Sequence, residues 1–306
     1  MQTPTTHPAP PPPLRPSAAL AWWLALRPKT LSAGFVPVWV GTALTAGMPP
    51  AHPARALMAT CCALLIQVGT NLYNDYADFC RGADTAERLG PRRATQQGWL
   101  RPKQVLWGAC LAFGLALVGG LYLIYCGGWP ILLIGAVSLL MGFAYTGGPY
   151  PLAYHGLGEL FVFVFFGLVA VGGSSYLQDL QAPTPVVWMM GGSIGLLACA
   201  VLVVNNLRDI PTDAQSAKKT LAVRLGAPAT RWLYAGLLLG AYVLPLIAIC
   251  RGCGHGLGWA FLSLPWALLA LRQIRVAQGA QLNGLLAHTA QLQLIFGALL
   301  VAGATR

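Results

Sequence analysis

Long apolar stretches, each close to the length that crosses a bilayer as a helix, constrain this chain more than any other feature. A hydrocarbon core of about 30 Å takes roughly 20 apolar residues per helix. Nine such runs are present, at about 31–47, 55–76, 104–124, 128–146, 156–177, 185–206, 229–249, 256–272 and 286–303. Pro37 and Pro265 interrupt the first and the eighth. Only helices and closed barrels satisfy their backbone in lipid, and barrel strands give short alternating segments instead. The fold class expected is therefore all-α: a polytopic membrane protein of about nine transmembrane helices, bundled around a central cavity.

The net charge of +11 invites a nucleic-acid reading, but the placement of the bases argues against it. With the N-terminus inside, Arg15, Arg27 and Lys29 lie on the cytoplasmic side. So do six residues between Arg81 and Lys103, five between Arg208 and Arg231, and Arg272 and Arg275. Only Arg55, Arg251 and Arg306 fall outside. This bias is the positive-inside pattern, and it places the C-terminus outside. The lipid bilayer, not nucleic acid, is the partner expected.

Residues 1–18 hold seven prolines and read as a disordered tail, leaving residues 19–306 as one transmembrane domain. Trp22 and Trp23, just before Arg27-Pro28-Lys29, read as an interfacial anchor on a short helix. Eight scattered cysteines read as small hydrophobes, and Cys250-Arg-Gly-Cys253 lacks the further partners a zinc or redox site needs.

Acidic residues are scarce, and six of the eight fall in two places. Asn71-Leu-Tyr-Asn74-Asp75-Tyr-Ala-Asp78 is followed by Asp84 and Glu87; the other is Asn205-Asn206-Leu-Arg208-Asp209-Ile-Pro-Thr-Asp213. Each stands where an apolar run ends, at the end of the second and of the sixth span. That recurrence fits an internal repeat of four helices, with a ninth added. Residues three and four apart share a helix face. Asn71, Asn74, Asp75 and Asp78 therefore point one stripe of oxygens into one space, as do Asn205 or Asn206 with Asp209 and Asp213. Mg²⁺ prefers such hard oxygen ligands, and two facing clusters can hold a diphosphate between bridging metals. Arg27, Lys29, Arg208 and one of Lys218 or Lys219 supply positive charge to the same region. A third segment, Tyr145-Thr-Gly-Gly-Pro-Tyr150 through His155 to Glu159, forms a compact loop offering aromatic faces and hydrogen bonds.

These motifs resemble the UbiA superfamily of intramembrane prenyltransferases, and within it the 1,4-dihydroxy-2-naphthoate polyprenyltransferase branch of menaquinone synthesis. Arg27-Pro-Lys-Thr-Leu31, Gly69 through Phe79, Gly82 through Gln96, Tyr145 through Leu152, His155-Gly-Leu-Gly-Glu159 and Asn205 through Gly226 carry the resemblance. Gly82 departs from the general superfamily pattern, which often has an acid there; the acid here falls at Asp84. The resemblance implies a nine-helix bundle whose two aspartate-rich motifs hold Mg²⁺ and a prenyl diphosphate. It implies Asp75, Asp78, Asp209 and Asp213 as metal ligands, oriented by the four asparagines. Arg27, Lys29, Arg208 and a loop lysine would draw charge onto the leaving diphosphate. The ring would then attack the allylic cation and lose carbon dioxide, giving demethylmenaquinone. Asp84 or Glu87 would serve as base, and His155 would contact the naphthoate carboxylate; Tyr145 and Tyr150 complete the substrate-binding set. A related enzyme using 4-hydroxybenzoate, homogentisate or a porphyrin is the alternative. A cation-coupled transporter is a more distant one, since it needs acids nearer the midplane.

Overall fold

A computed structural model of the protein describes residues 16–46, 51–83 and 89–304. The expectations for residues 1–15, Asp84 and Glu87 lie outside the described residues. In chain order the α-helices are α1 (Ala18–Leu26), α2 (Ser32–Ala46), α3 (Pro53–Cys80), α4 (Pro102–Gly127), α5 (Trp129–Ala144) and α6 (Gly158–Val162). They continue with α7 (Ala170–Asp179), α8 (Pro185–Gln215), α9 (Leu221–Cys250), α10 (Leu264–Val276) and α11 (Leu282–Ala304). A π-helical segment, Phe163–Val169, joins α6 to α7 into one rod, and a 3₁₀ segment, His255–Ser263, leads into α10. No strand occurs among the described residues. Seven helical rods there are long and apolar enough to cross a membrane, and two shorter apolar helices, Ser32–Thr45 and Trp129–Ala144, stand at the first and fourth apolar runs.

Prolines mark the starts. Pro53, Pro102, Pro130, Pro185 and Pro265 each sit in the first turn of a helix, where the missing N–H costs nothing. Pro265 thus opens α10 and does not break it. Thr220 caps α9 by accepting from the Val223 N–H at 3.3 Å. Gly226, at φ 74°, then breaks that helix, so the membrane-length part begins near Pro228.

Both acidic clusters lie on the last turns of helices that continue past the apolar runs. α3 and α8 extend through Asp78 and Asp213, the latter in spite of Pro211 inside the helix. α8 is the most buried helix, with Met190, Ile194, Leu197, Val203 and Val204 fully enclosed. It packs on α9, α11 and the π segment; α3 packs chiefly on α4. α2 bridges the halves by contacting α3, α7 and α8, and α11 closes back onto α2. Close approach rests on glycine: a Cβ on Gly167 would stand 2.6 Å from the Gly191 carbonyl. α1 packs Ala21 and Ala25 against Leu72 of α3 and Val105 and Ala109 of α4, leaving Trp23 outward. The outer face of α4 is apolar and exposed at Leu111, Leu115, Val118 and Leu121, with Trp107 and Tyr125 near its two ends, the pattern of a lipid-facing helix.

Candidate active site

A cavity of about 420 Å³ runs between α3, α4, α5 and the α6–π–α7 rod. Its wall includes both Ala59 and Asp78 of α3. Nineteen residues at 1.5 Å each separate those two by about 28 Å, nearly the full hydrocarbon thickness. Most of the wall is apolar: Ile66, Leu123, Ile131, Phe161, Phe165 and Val169 are typical. Its polar residues gather at the end where α3 and α8 terminate: Arg27, Asn71, Asn74, Asp78, Arg93, Tyr145, Glu159, Asn205, Asn206 and Lys218. Basic residues crowd the same end of the bundle; among the described residues only Arg55 and Arg251 stand at the other.

The first cluster is buried and held by residues far away in sequence. Asp75 accepts from the Ala94 N–H at 3.1 Å and from the Thr95 hydroxyl. Asp78 accepts from Arg93 Nη2 at 2.9 Å and from the Tyr154 hydroxyl at 2.8 Å. Asn71 donates to the Leu26 carbonyl at 3.2 Å, and Asn74 accepts from the Thr146 hydroxyl at 2.5 Å. Residues 93–95 and the loop after α5 therefore close over the α3 terminus. Arg81 pins that second loop, donating to the carbonyls of Thr146 and Gly148 and lying 5.2 Å from the Tyr154 ring.

In the second cluster Arg208 and Asp209 form a two-pronged ion pair, both N···O distances 2.7 Å, and both side chains are almost wholly buried. Arg208 also donates to Asn205 and to Asn283 of α11, each at 2.8 Å. Asn206 donates to Glu159 Oε1 at 2.9 Å. Lys218 Nζ lies 3.4 Å from Asp213 Oδ1 and 5.8 Å from the centre of the Tyr154 ring. Because Tyr154 donates to Asp78, a chain of contacts runs Asp78–Tyr154–Lys218–Asp213 and joins the two clusters across the mouth of the cavity. Burial and the Asp78 carboxylate push the Tyr154 phenol well above its usual range, so it stays protonated and can donate.

The two lysines differ in placement. Lys218 lines the cavity, whereas Lys219 is exposed. Lys29 is exposed as well, and Arg27 alone of that pair lines the cavity, its backbone turned left-handed (φ 56°) at the end of α1. Tyr150 and His155 stack on each other at 3.6 Å, away from the cavity wall, and the His155 carbonyl accepts from Arg224 at 2.9 Å. Arg208 faces Asp209 and two asparagines and is not on the wall. Four residues that spacing does not single out belong to the site: Arg93, Thr95, Tyr154 and Glu159. Arg93, Thr95 and Glu159 lie inside the motifs quoted above, so the available signal is motif membership alone.

The donor set at the polar end fits a hard divalent cation, being all carboxylate and amide oxygen. Among the described residues, no three His, Cys, Asp or Glu side chains converge as a ready-made metal cage. Asp75 is held by Thr95 and the Ala94 N–H, Asp209 by Arg208, and Asp78 by Arg93 and Tyr154, and Asp78 and Asp213 stand on either side of Tyr154 and Lys218. Four-ligand protein cages are not what Mg²⁺ requires, since it keeps waters and takes one or two carboxylates plus phosphate oxygens.

Residues 34–285 match the model of the UbiA prenyltransferase family. A protein of Mycobacterium tuberculosis, "1,4-dihydroxy-2-naphthoate octaprenyltransferase", is 40% identical over 294 residues, covering 94% of this chain and 97% of its own. Among solved structures, a UbiA homolog from Aeropyrum pernix K1 superposes with a TM-score of 0.65 at 15% identity, covering 90% of this chain and 98% of that one. A UbiA homolog from Archaeoglobus fulgidus, bound to DMAPP and Mg²⁺, superposes with a TM-score of 0.57 at 14% identity, covering 93% and 97%. At those identities the solved structures speak to the fold.

Proposed function

The chain belongs to the UbiA prenyltransferase family, and on that premise we propose that it moves a polyprenyl group from a polyprenyl diphosphate onto 1,4-dihydroxy-2-naphthoate, releasing diphosphate and carbon dioxide. The carrying observation is the join between the two acidic helix ends, Asp78–Tyr154–Lys218–Asp213, set at the polar mouth of an apolar cavity. The acceptor follows from the M. tuberculosis relative's name. One transmembrane domain, residues 19–306, carries the activity.

Asp78 and Asp213 would hold Mg²⁺, with Asp75 and Asp209 backing them from the same two helices. When bound, the metal supplies charge that neutralises the diphosphate and makes it a better leaving group. Lys218 and Arg27 face the same space and add fixed positive charge where negative charge develops. Arg93 and Tyr154 hold the Asp78 carboxylate in place. The apolar wall receives the isoprenoid chain and keeps water from the allylic cation. The bond from the terminal isoprenoid carbon to oxygen breaks, and a new bond forms to the ring carbon. Loss of carbon dioxide returns the electrons that restore the aromatic ring. The product therefore leaves as the hydroquinone form of demethylmenaquinone, and the quinone itself requires a later two-electron oxidation, because no net electrons are removed in this reaction.

The basic residues at this end of the bundle support a cytoplasmic site in a bacterial inner membrane, with the C-terminus outside. The test is purified protein in liposomes with Mg²⁺, polyprenyl diphosphate and each aromatic acceptor in turn, read by product mass spectrometry and diphosphate release. Dihydroxynaphthoate is expected to be prenylated, and EDTA to stop the reaction until Mg²⁺ is restored. Turnover undiminished in EDTA, or turnover only with 4-hydroxybenzoate, homogentisate or a porphyrin, would overturn the proposal.

A further inference from the structure

Ring prenylation with decarboxylation needs a group to take a proton and return it. When the ring attacks the cation, one ring hydroxyl becomes a carbonyl and its proton must leave. When carbon dioxide then departs, the carbonyl oxygen must be protonated again. The acceptor for this proton should be a carboxylate facing the apolar cavity, apart from the groups that grip the diphosphate. Among the described residues Glu159 meets that description.

Its position is built locally. The turn Leu152–His155 ends at Gly156 (φ +72°), and α6 begins at Gly158. A Cβ on Gly158 would meet the Tyr145 hydroxyl at 3.1 Å and Leu202 at 3.3 Å, so glycine lets α6 sit directly on α8. That seats the Glu159 side chain in the cavity wall. The Cys199 thiol donates to the Glu159 carbonyl at 3.0 Å and fixes the backbone there. Oε1 accepts from Asn206 at 2.9 Å. Oε2 is fully covered and has no hydrogen-bond partner. A buried carboxylate oxygen without a donor is costly to maintain. The Glu159 side chain lines a cavity alongside Tyr145 and Phe161, so a small turn of the carboxylate would present this oxygen to the hydroxyl of an aromatic ring bound there.

We propose that Glu159 Oε2 is the proton acceptor for a hydroxyl of the aromatic substrate. This rests on the ring-prenylation reading above. On ring attack the hydroxyl O–H bond breaks, its proton passes to Oε2 and its electrons form the carbonyl. After the carbon–carboxylate bond breaks, the same proton returns to that oxygen, so no proton is gained or lost. Asn206 orients the carboxylate by holding Oε1, which leaves Oε2 for the substrate.

The experiment compares E159Q and E159D with the parent protein in Mg²⁺-containing liposomes. The glutamine side chain of E159Q would still offer an oxygen to Asn206 but puts an amide nitrogen where the accepting oxygen was. E159Q is expected to lower kcat for dihydroxynaphthoate by at least about 100-fold, the low end for general-base catalysis. KM for the polyprenyl diphosphate is expected to stay within about threefold, since no diphosphate contact changes. E159D, which keeps the acid but draws it back, is expected to fall between. An acceptor with its hydroxyls methylated gives the second readout: the parent should process it poorly, and E159Q should lose nothing further on it. Parent-like kcat in E159Q overturns the proposal. So does a rise in the diphosphate KM at unchanged kcat, which would make Glu159 a packing residue. If the parent itself leaves dihydroxynaphthoate untouched, the function reading fails instead, and the two failures are told apart.

Discussion

Removing Asp209 should do more than remove a ligand. Its carboxylate and the Arg208 guanidinium share two 2.7 Å contacts and are 3% and 1% exposed. Breaking a buried pair from one side costs about 3–5 kcal/mol, because the other charge stays behind. Asn205 and Asn283 still accept from Arg208 at 2.8 Å, so D209A belongs near the lower end, about 3 kcal/mol. R208A should cost a similar amount by leaving the carboxylate. R208M/D209L, which removes both charges and refills the volume, should lie within about 1 kcal/mol of the parent or above it. The assay is a double-mutant cycle on reversible unfolding in mixed micelles. A coupling energy of about 2 kcal/mol or more is expected, and D209A and R208A effects that add within about 0.5 kcal/mol would refute the argument. The outcome also governs how activity data are read. An inactive D209A is ambiguous between metal and fold, whereas D209N keeps the shape and isolates the charge.

Other expectations follow from single contacts. K218M should raise KM for the polyprenyl diphosphate at least about tenfold while K219M leaves it near the parent value, because only Lys218 lines the cavity; equal effects in steady-state kinetics would contradict the placement. Y154F removes a hydrogen bond to a carboxylate and should destabilise by about 1.5–3 kcal/mol. The Tyr154 phenol is held above its unfolded value of about 10, so its contribution is whole below pH 10 and is lost as pH rises beyond it. Stability above pH 10 should therefore fall off less steeply for Y154F than for the parent in denaturation curves. G167A, with its Cβ 2.6 Å from the Gly191 carbonyl, should cost about 1–3 kcal/mol in thermal unfolding; an unchanged midpoint would show that the π segment yields.

Hydropathy locates the spans, because lipid leaves a backbone few choices, and helical spacing puts each acidic set on one face. Neither locates partners joined through long loops. Arg93 and Thr95 reach the α3 cluster across a segment whose path no periodicity encodes, and Tyr154 reaches Asp78 from another loop. Nor does spacing tell which of neighbouring residues line the cavity: Arg27, Tyr145 and Glu159 do, while Lys29, Tyr150 and His155 do not. Arg208 reads as a phosphate grip from its place inside a cluster, yet one residue on, Asp209 offers both its oxygens at contact distance. Glu159 escapes notice in the sequence because a single acid at a helix start looks like any other until Asn206 is seen opposite.

The spacing along α8 ties the chemistry together. Asn206, which holds Glu159, and Asp213, which meets Lys218, are seven residues apart on the same helix. At 1.5 Å per residue that is about 10 Å, two turns on nearly one face. On the proposed reading, a diphosphate held between Asp78 and Asp213 would have its first isoprenoid carbon on the Glu159 side, and the aromatic ring would occupy that interval. The remaining isoprenoid units would run on past α5, which contacts α3 and α4 and contributes Ile131, Leu132 and Ile134 to the cavity wall, as the α6–π–α7 rod contributes Phe165 and Val169. Leu132, on that wall, is 52% exposed. On this reading α8 would set the distance between the leaving group and the proton acceptor, and α5 the route of the chain. Moving the acid clusters by a turn would break the first relation without touching the second.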